Sequence, residues 1–377
     1  MKLAVSRADA RFERLDVLKA AVTVLVVFHH TAITYGGSGG WFYVERPPDD
    51  SLPSLLLTIL CAVDQAWFMG FFFLLAGRFT PESIDRKGTG AFRRDRALRL
   101  GLPWLVFGLV LGPITIAWAH TARGQPFVDT LTALWLRGTF EPGPLWFAQA
   151  LMGMSLAALV WRRWAAPAMH RGTPMPTNGG LLAAALVVGV AAFGLRLVWP
   201  VGAEFWHLQL GYFASYIVLF AAGCAAADAG WFERLDGEQA RRWRRITWMA
   251  LPTLLPLALL AGQVAVLRAP PTGGWNLPSL MYAFWEPFVA WGLLLSLVAW
   301  AMRPGAAAPA PWQLVWARRA YGVFVFHPLV VVGLALAWRG VLAPPLVKWA
   351  VTGLLACAVS YVAVGVLLRV PALRRIL

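Results

Sequence analysis

The chain has 377 residues, of which 59% are hydrophobic and only 14% are charged. This composition excludes an ordinary soluble domain, and the long apolar runs that recur along the sequence are typical of an all-α polytopic membrane protein. Many of the 21 Trp residues lie near the ends of these runs, including Trp41, as expected for an aromatic belt at the membrane surfaces. The net charge of +15 is compatible with nucleic-acid binding. Whether it indicates such binding depends on where the charges lie along the chain.

Ten apolar segments are long enough to cross a bilayer as helices. They lie roughly at residues 15–36, 53–77, 100–120, 145–161, 180–199, 210–229, 246–267, 278–302, 312–337 and 345–368. The segments follow one another with no extended soluble domain between them. We therefore predict a single transmembrane domain over residues 1–377.

Lys and Arg residues are divided unevenly between the two sides of these segments. Most of the 33 lie on the side of the two termini and of the loops at 78–99, 162–179, 230–245 and 303–319. The basic residues on the opposite side are Arg46, Arg123, Arg137, Arg196, Arg268 and Arg339. Because positively charged loops stay in the cytoplasm, both termini are predicted to be cytoplasmic. The charge indicates topology and contact with anionic lipids, and we predict no nucleic-acid binding.

The first span carries a stripe of polar residues on one face of an otherwise apolar helix. At 100° per residue, Asp16, Lys19, Thr23 and His30 fall within roughly 40° of one another, whereas His29 points about 100° away. Ionisable groups in hydrocarbon are costly, so the stripe is a candidate functional site. Asp16 is three residues from Lys19 and can pair with it. The alternative for His30 is a packed histidine satisfied by another helix.

Spans two and three add an acid and a basic cluster. Asp64 in span two needs a partner, either as a contact between helices or as an orienting group of an active site, and both interpretations stay open. Arg93, Arg96 and Arg99 precede span three, and Arg96 and Arg99 are spaced to share one face of a helix. Guanidinium groups suit phosphate, although such clusters usually determine topology.

Two later spans each place an ionisable residue beside a proline. Glu286 precedes Pro287, and either a contact with a substrate or a structural partner explains it. His327 precedes Pro328, which frees a backbone carbonyl, so His327 either lines a pocket or packs near a kink.

Five segments in order resemble the acyltransferase family 3 membrane proteins. They are the ten-residue gap between Lys19 and His30, FFFLLAG in span two, RALRLGLP at span three, GPLWFAQALMGMSL from Gly143 and RRAYGVFVFHPLVV from Arg318. Lys19 stands where the family commonly has Arg, which keeps the charge but loses the bidentate fork. Ala76 stands where the family often has Ser, so no hydroxyl role transfers to that position.

The resemblance implies transfer of an acyl group, acetyl, succinyl or similar, from cytoplasmic acyl-CoA to a hydroxyl of a glycan or lipid-linked carbohydrate at a bacterial inner membrane. His30 is the expected general base, roughly 22 Å along the first span and in the outer half of a core about 30 Å thick. Lys19 and Asp16 are expected to assist catalysis, and Arg93, Arg96 and Arg99 to bind the donor phosphates. Further pocket candidates are Asp64, Trp146, Glu286, Tyr321 and His327. We expect no metal and no tightly bound cofactor.

A transporter or flippase for a lipid-linked or small polar solute is the alternative. Ten spans, prolines within spans and intramembrane charges suit a transporter. The sequence shows no internal repeat relating its halves, and transport leaves the spacing from Lys19 to His30 unexplained. It also has no HExxH, Walker, Rossmann or GxSxG motif, so metal, nucleotide and serine-esterase chemistry lack support.

Overall fold

The computed structural model describes residues 7–164, 173–261 and 263–377, and its regular elements are helical. The α-helices are α1 Arg7–Thr34, α2 Leu52–Arg96, α3 Leu102–Val106, α4 Gly112–His120, α5 Phe127–Leu136, α6 Trp146–Trp164, α7 Asn178–Val198, α8 Phe213–Ala229, α9 Trp231–Arg234, α10 Gly237–Ala250, α11 Leu254–Ala261, α12 Leu277–Met302, α13 Pro311–Ala337 and α14 Pro345–Leu367. Ala97–Gly101 and Phe107–Leu111 wind as π-helix.

Within the described residues, eight helical stretches are long and apolar enough to cross a membrane. They are Ala10–Thr34, Leu52–Arg123, Gly143–Trp164, Asn178–Val198, Leu210–Ala229, Leu277–Met302, Pro311–Ala337 and Pro345–Leu367. Leu52–Arg123 has 72 residues and contains both predicted spans 53–77 and 100–120, so it is long enough for two crossings of about 20 residues each. The all-α, multi-pass architecture is confirmed, while the count of ten spans and the side of the termini stay predictions.

Two stretches differ from the sequence expectation. The predicted cytoplasmic loop at 78–99 is largely helical, and Gly88 interrupts it with φ 74° and ψ 164°, a conformation that glycine adopts without strain. The predicted span 246–267 is divided, because α10 ends at Ala250 and a 3₁₀ turn at Leu251–Thr253 follows before α11. Pro252 lies in that turn and lacks the N–H that a continuous helix needs.

Side-chain caps explain where several helices begin. Thr177 accepts a hydrogen bond from the Gly180 N–H at the start of α7, and Asp236 accepts from Glu238 at the start of α10. Asn276 does the same for Ser279 at the start of α12. These short oxygen-bearing side chains satisfy N–H groups that have no partner within a first turn.

The chain divides into two compact units. Among the described residues, the first unit comprises the start of α1 up to Leu15 together with Gln65–Arg93 and Gly153–Ala308. The second unit comprises Asp16–Asp64, Arg94–Met152 and Pro309–Leu377. The prediction of one domain over 1–377 stays a prediction.

In the first unit, α2 and α8 approach each other backbone to backbone. A Cβ atom added to Gly77 would lie 2.1 Å from the carbonyl oxygen of Phe220, and one added to Gly223 would lie 2.2 Å from that of Leu74. Small residues permit this close approach between membrane helices. The glycine of the FFFLLAG segment is therefore required by packing.

In the second unit, the core lies between α1, α13 and α14. Val27, Val323, Val331 and Ala356 are fully buried there. A neighbouring cluster joins the end of α1 to α2 through apolar contacts, with Ala32, Ile33, Tyr35, Leu57, Cys61 and Ala335 at its centre. This core fixes α1 against α13 at the level of His30.

Candidate functional site

His30 of α1 and His327 of α13 contact each other in the second unit. Nδ1 of His30 lies 2.9 Å from Nε2 of His327, and the two rings are nearly parallel with centroids 5.0 Å apart. His327 is fully buried, whereas His30 is partly exposed. The apolar core thus encloses the imidazole of His327, whereas part of the His30 imidazole is accessible.

Pro328 explains how His327 is oriented. In a regular helix the carbonyl of Phe324 would accept a hydrogen bond from the N–H of residue 328, and proline has none. The Phe324 carbonyl instead lies 2.8 Å from Nδ1 of His327. Because a carbonyl oxygen only accepts, Nδ1 of His327 carries the proton.

This arrangement determines the proton positions on both neutral rings. With its proton on Nδ1, His327 offers Nε2 as an acceptor, so His30 donates its Nδ1–H to that atom. The lone pair of His30 is then on Nε2, for which the described residues supply no hydrogen-bond partner. The geometry therefore presents an oriented imidazole with its basic nitrogen open.

Trp41 covers one face of His30. The two rings are stacked with centroids 3.8 Å apart and an interplanar angle of 12°. The loop that carries Trp41 is anchored at Glu45, whose N–H donates to the Thr34 carbonyl and whose carboxylate pairs with buried Lys348. Sequence patterns predict Trp41 only as a residue of the aromatic belt, and none of them signals this contact.

The same outer loop is ordered at its far end by Asp49. Its carboxylate accepts hydrogen bonds from Ser51 and Arg46. These bonds, that from Ser51 foremost, lower the pKa of Asp49 to about 2. Asp49 is therefore ionised at neutral pH.

His29 has a different environment from His30. Nδ1 of His29 lies 3.4 Å from Oδ2 of Asp64, and both side chains are buried. Asp64 thus contacts His29, and its contact is one between helices α1 and α2. The group that orients the His30 ring is His327, since its Nε2 faces Nδ1 of His30.

Asp16 and Lys19 form the ion pair that their spacing predicts. Nζ of Lys19 lies 2.5 Å from Oδ1 of Asp16, and both side chains are about one-third to one-half exposed, at 34% and 47%. The Thr23 hydroxyl donates to the Lys19 carbonyl within the helix, which satisfies the hydroxyl. Lys19 and His30 are eleven positions apart, roughly 16 Å along the helix axis.

The arginine cluster lies where α2 passes into π-helix. Arg96 is partly buried at the end of α2, whereas Arg99 is exposed within Ala97–Gly101. The π-helical turn changes the angle between the two side chains from that expected for a regular α-helix. The Tyr321 hydroxyl donates to the Arg99 carbonyl at 2.6 Å, which ties this turn to α13. Arg93 is exposed and belongs to the first unit.

Trp146 opens α6 and is partly buried in the second unit. The adjacent Phe147 packs edge-on against Phe324 with ring centroids 6.0 Å apart. Phe324 in turn lies 6.0 Å from the His327 ring. The segment from Gly143 therefore supports the histidine pair through an aromatic contact.

Glu286 lies in the first unit and forms an ion pair with Arg196. From the sequence, Arg196 is only one of the basic residues on the side opposite the termini. Oε2 of Glu286 is 2.5 Å from Nη2 of Arg196, which is fully buried. The Tyr212 and Tyr282 rings lie 5.2 and 5.1 Å from the guanidinium carbon. Nε of Arg196 also donates to the Gly211 carbonyl at 3.1 Å. The structure thus supplies the structural partner that Glu286 needs.

The comparisons with known proteins identify the family. The profile of acyltransferase family 3, described as an acyltransferase domain, matches residues 12–365. The chain belongs to acyltransferase family 3. No curated protein and no solved structure matches the chain in the corresponding searches.

The family 3 match spans all five segments on which the resemblance rests, so that identification is confirmed. In this acyltransferase the structure brings the first and last of them together as the His30–His327 pair, in a unit that also holds RALRLGLP and the start of the Gly143 segment. FFFLLAG lies in the first unit, at the contact between α2 and α8.

Proposed function

We propose that this membrane acyltransferase moves an acyl group from acyl-CoA to a hydroxyl group of a glycan or another carbohydrate-containing acceptor. The observation that carries the proposal is the open Nε2 of His30, oriented through His327 by the Phe324 carbonyl. A neutral imidazole held in this way is a base suited to near-neutral pH.

The proposed reaction is a direct transfer. Nε2 of His30 takes the proton of the acceptor hydroxyl as its oxygen attacks the thioester carbonyl carbon. The carbonyl π electrons move to the carbonyl oxygen and return as the carbon–sulfur bond breaks. The CoA thiolate then receives the proton from His30, so that the products are the acylated acceptor and CoA, with the base restored.

His327 is a positioning residue in this scheme. It accepts the Nδ1–H of His30, which fixes both the tautomer and the ring orientation of the base. When His30 gains a proton, the same hydrogen bond becomes charge-assisted and therefore stronger. Burial of His327 keeps water from competing for that bond.

The donor is proposed to bind at the end of the second unit that the charge pattern predicts to be cytoplasmic. Arg96 and Arg99 offer guanidinium groups for the CoA phosphates, with Tyr321 holding the backbone of their turn. Lys19, paired with Asp16, lies on the His30 face of α1 and is proposed to contact the donor between phosphates and thioester. The acceptor hydroxyl is proposed to reach His30 from the outer side.

Labelled acyl-CoA tests the function. Membranes bearing the wild-type protein are supplied with acetyl-CoA or succinyl-CoA carrying label in the acyl group, and label is measured in the glycan and lipid fractions. We expect transfer with the wild type and with the control variant His29→Gln, whose amide can still donate to buried Asp64. Transfer should fall at least about a hundredfold with His30→Gln. Solute flux without any acyl transfer contradicts the proposal and favours a transporter.

The donor half of the site has its own test. Arg99→Ala is expected to raise the KM for acyl-CoA about tenfold, since one charge-assisted contact to phosphate is worth about 1.5–3 kcal/mol. The KM for the acceptor should stay unchanged. Arg242→Ala is the matched control, because Arg242 is an exposed arginine whose partner is Glu238 on its own helix. An unchanged KM for acyl-CoA in Arg99→Ala removes the phosphate role.

A further inference from the structure

The indole N–H of Trp41 is a buried donor without a hydrogen-bond partner among the described residues. Buried N–H groups in folded proteins are nearly always paired, so an unpaired one beside a candidate base calls for a partner that binds there. The Trp41 ring contacts His30 at a centroid distance of 3.8 Å. The N–H of Trp41 and Nε2 of His30, both without a hydrogen-bond partner among the described residues, thus belong to two stacked rings.

The loop around Trp41 fixes the indole in place. Within this loop, Gly37 donates to the Ala32 carbonyl at 2.8 Å, and Arg46 donates to the Thr34 carbonyl at 3.2 Å. Phe42 packs edge-on against Trp41 with centroids 5.2 Å apart. A donor held by contacts on both sides in sequence needs no reorganisation when charge develops next to it.

We propose that Trp41 is a further catalytic residue, whose N–H donates to the acyl carbonyl oxygen while its ring face stabilises the protonated His30. This inference rests on the proposed acyl transfer. As the acceptor oxygen attacks, the carbonyl π electrons move to the carbonyl oxygen, and that oxygen accepts the Trp41 N–H. The proton lost by the acceptor goes to His30, and the imidazolium lies against the electron-rich indole face.

Trp41 would therefore stabilise both charges that form in the reaction, the negative charge on the carbonyl oxygen and the positive charge on His30. Other buried donors without partners in the second unit include the indole N–H of Trp104 and the hydroxyl of Tyr361. Neither ring is stacked on His30, whose ring contacts are with His29, Trp41 and His327. Of the three unpaired donors of Trp41, Trp104 and Tyr361, the N–H of Trp41 is therefore the one that belongs to a ring stacked on His30.

Trp41→Phe separates the two roles, because phenylalanine keeps an aromatic face and lacks the N–H. We expect kcat for acyl transfer to fall about tenfold to a hundredfold, at or below the lower end of what an oxyanion donor contributes. Trp41→Ala removes the face as well and should be slower still. The KM for acyl-CoA should change by less than about a factor of two, since the N–H interaction strengthens only as charge develops.

Trp349→Phe is the matched control. Trp349 is a partly buried tryptophan of the same unit, and its N–H donates to the Phe28 carbonyl at 3.0 Å. This variant should lower the Tm and leave kcat unchanged. Should Trp41→Phe fold poorly, 3-benzothienylalanine at position 41 replaces the N–H by sulfur at nearly the same ring size, and it should reproduce the loss of kcat.

The outcomes separate this inference from the function on which it rests. Absence of acyl transfer in the wild type overturns the proposed function. Wild-type transfer with an undiminished kcat in Trp41→Phe overturns the role of the N–H alone. An equal loss of kcat in Trp349→Phe assigns the effect to packing and also overturns it, and equal rates in Trp41→Phe and Trp41→Ala overturn the role of the ring face.

Discussion

One buried polar centre in each unit can be compared with the other, and these two centres are built in opposite ways. In the second unit, His30 and His327 form a pair of neutral rings with one nitrogen left open. In the first unit, Arg196 and Glu286 form an ion pair enclosed by two tyrosine rings. The first arrangement leaves a basic nitrogen without a partner in the described part of the chain, while the second pairs its two buried charges with each other.

The small cavity beside Arg196 fits this distinction. It is lined in part by Gln65, Ala192, Ser215 and Tyr216, and its free space is of the order of one water molecule. A water there can accept from Nη1 of Arg196, which has no hydrogen-bond partner among the described residues. We infer that the ion pair holds α7 and α12 together, and that chemistry belongs to the histidine pair.

The largest effect is expected at His30. His30→Gln removes the base while keeping a polar side chain of similar reach, so kcat should fall about 10²- to 10⁴-fold. The Tm should stay near that of the wild type, because His30 is partly exposed and its loss uncovers no charge. Radiolabel transfer and thermal unfolding of the purified protein measure the two quantities. Residual kcat above a tenth of wild type contradicts the assignment of the base.

The reverse pattern is expected at the ion pair. Glu286→Ala leaves the buried guanidinium of Arg196 without its counter-charge, and breaking such a pair costs about 3–5 kcal/mol of stability. The Tm and the yield of folded protein should drop sharply, while kcat per folded molecule stays near wild type. Glu286→Gln keeps a hydrogen-bond acceptor and should lose less stability. A selective loss of kcat at unchanged Tm would instead place Glu286 in contact with the acceptor.

A smaller effect is expected at His327. His327→Leu leaves Nδ1–H of His30 without an acceptor, and we expect a loss of about tenfold to a hundredfold in kcat, as for other residues that orient a functional imidazole. His327→Gln supplies a side-chain carbonyl and should recover part of that loss at an unchanged KM for acyl-CoA. Equal rates for the two variants would show that His327 acts only by packing.

The smallest effect is expected at Pro328. Pro328→Ala gives residue 328 an N–H that competes with His327 for the Phe324 carbonyl. The helix gains a backbone hydrogen bond, so the Tm should be equal or higher, while kcat falls by a factor of about two to ten because the tautomer is less well fixed. Pro328→Ala should thus lower kcat without lowering the Tm, whereas Glu286→Ala should lower the Tm without lowering kcat. An unchanged kcat in Pro328→Ala would contradict the proposed role of the Phe324 carbonyl in fixing the tautomer of His327.

Sequence patterns predict the helices well, and they predict the site only in part. Hydropathy finds most spans because each must satisfy its own backbone within hydrocarbon. The predicted span 246–267 is divided in the structure, where Pro252 lies in a 3₁₀ turn between two helices. The helical period places His30 and His29 on different faces, as the structure does. The partner His327 is distant in sequence, and only its neighbour Pro328 signals that a carbonyl is free for it.

The missed residues share a cause. Trp41 reaches His30 through a loop, and the conformation of a loop does not follow from periodicity. In the sequence Arg196 is only one of the basic residues that indicate topology. Its role becomes visible in the structure, where Glu286 of α12 lies next to it. The sequence does indicate that such a pair can form, because it has an acidic residue within one span and a basic residue near the end of another. It does not indicate which acidic and basic residues contact each other.

The hydrogen bond between the two histidines also limits how many protons the site can hold. One proton taken up at His30 can be shared along the bond, since either ring can carry the positive charge. A second would place two cations at a nitrogen separation of 2.9 Å in a buried setting, where repulsion between like charges is strong. The two imidazoles can therefore hold a single additional proton, which is the number that the proposed reaction moves from the acceptor hydroxyl to the thiol in each cycle.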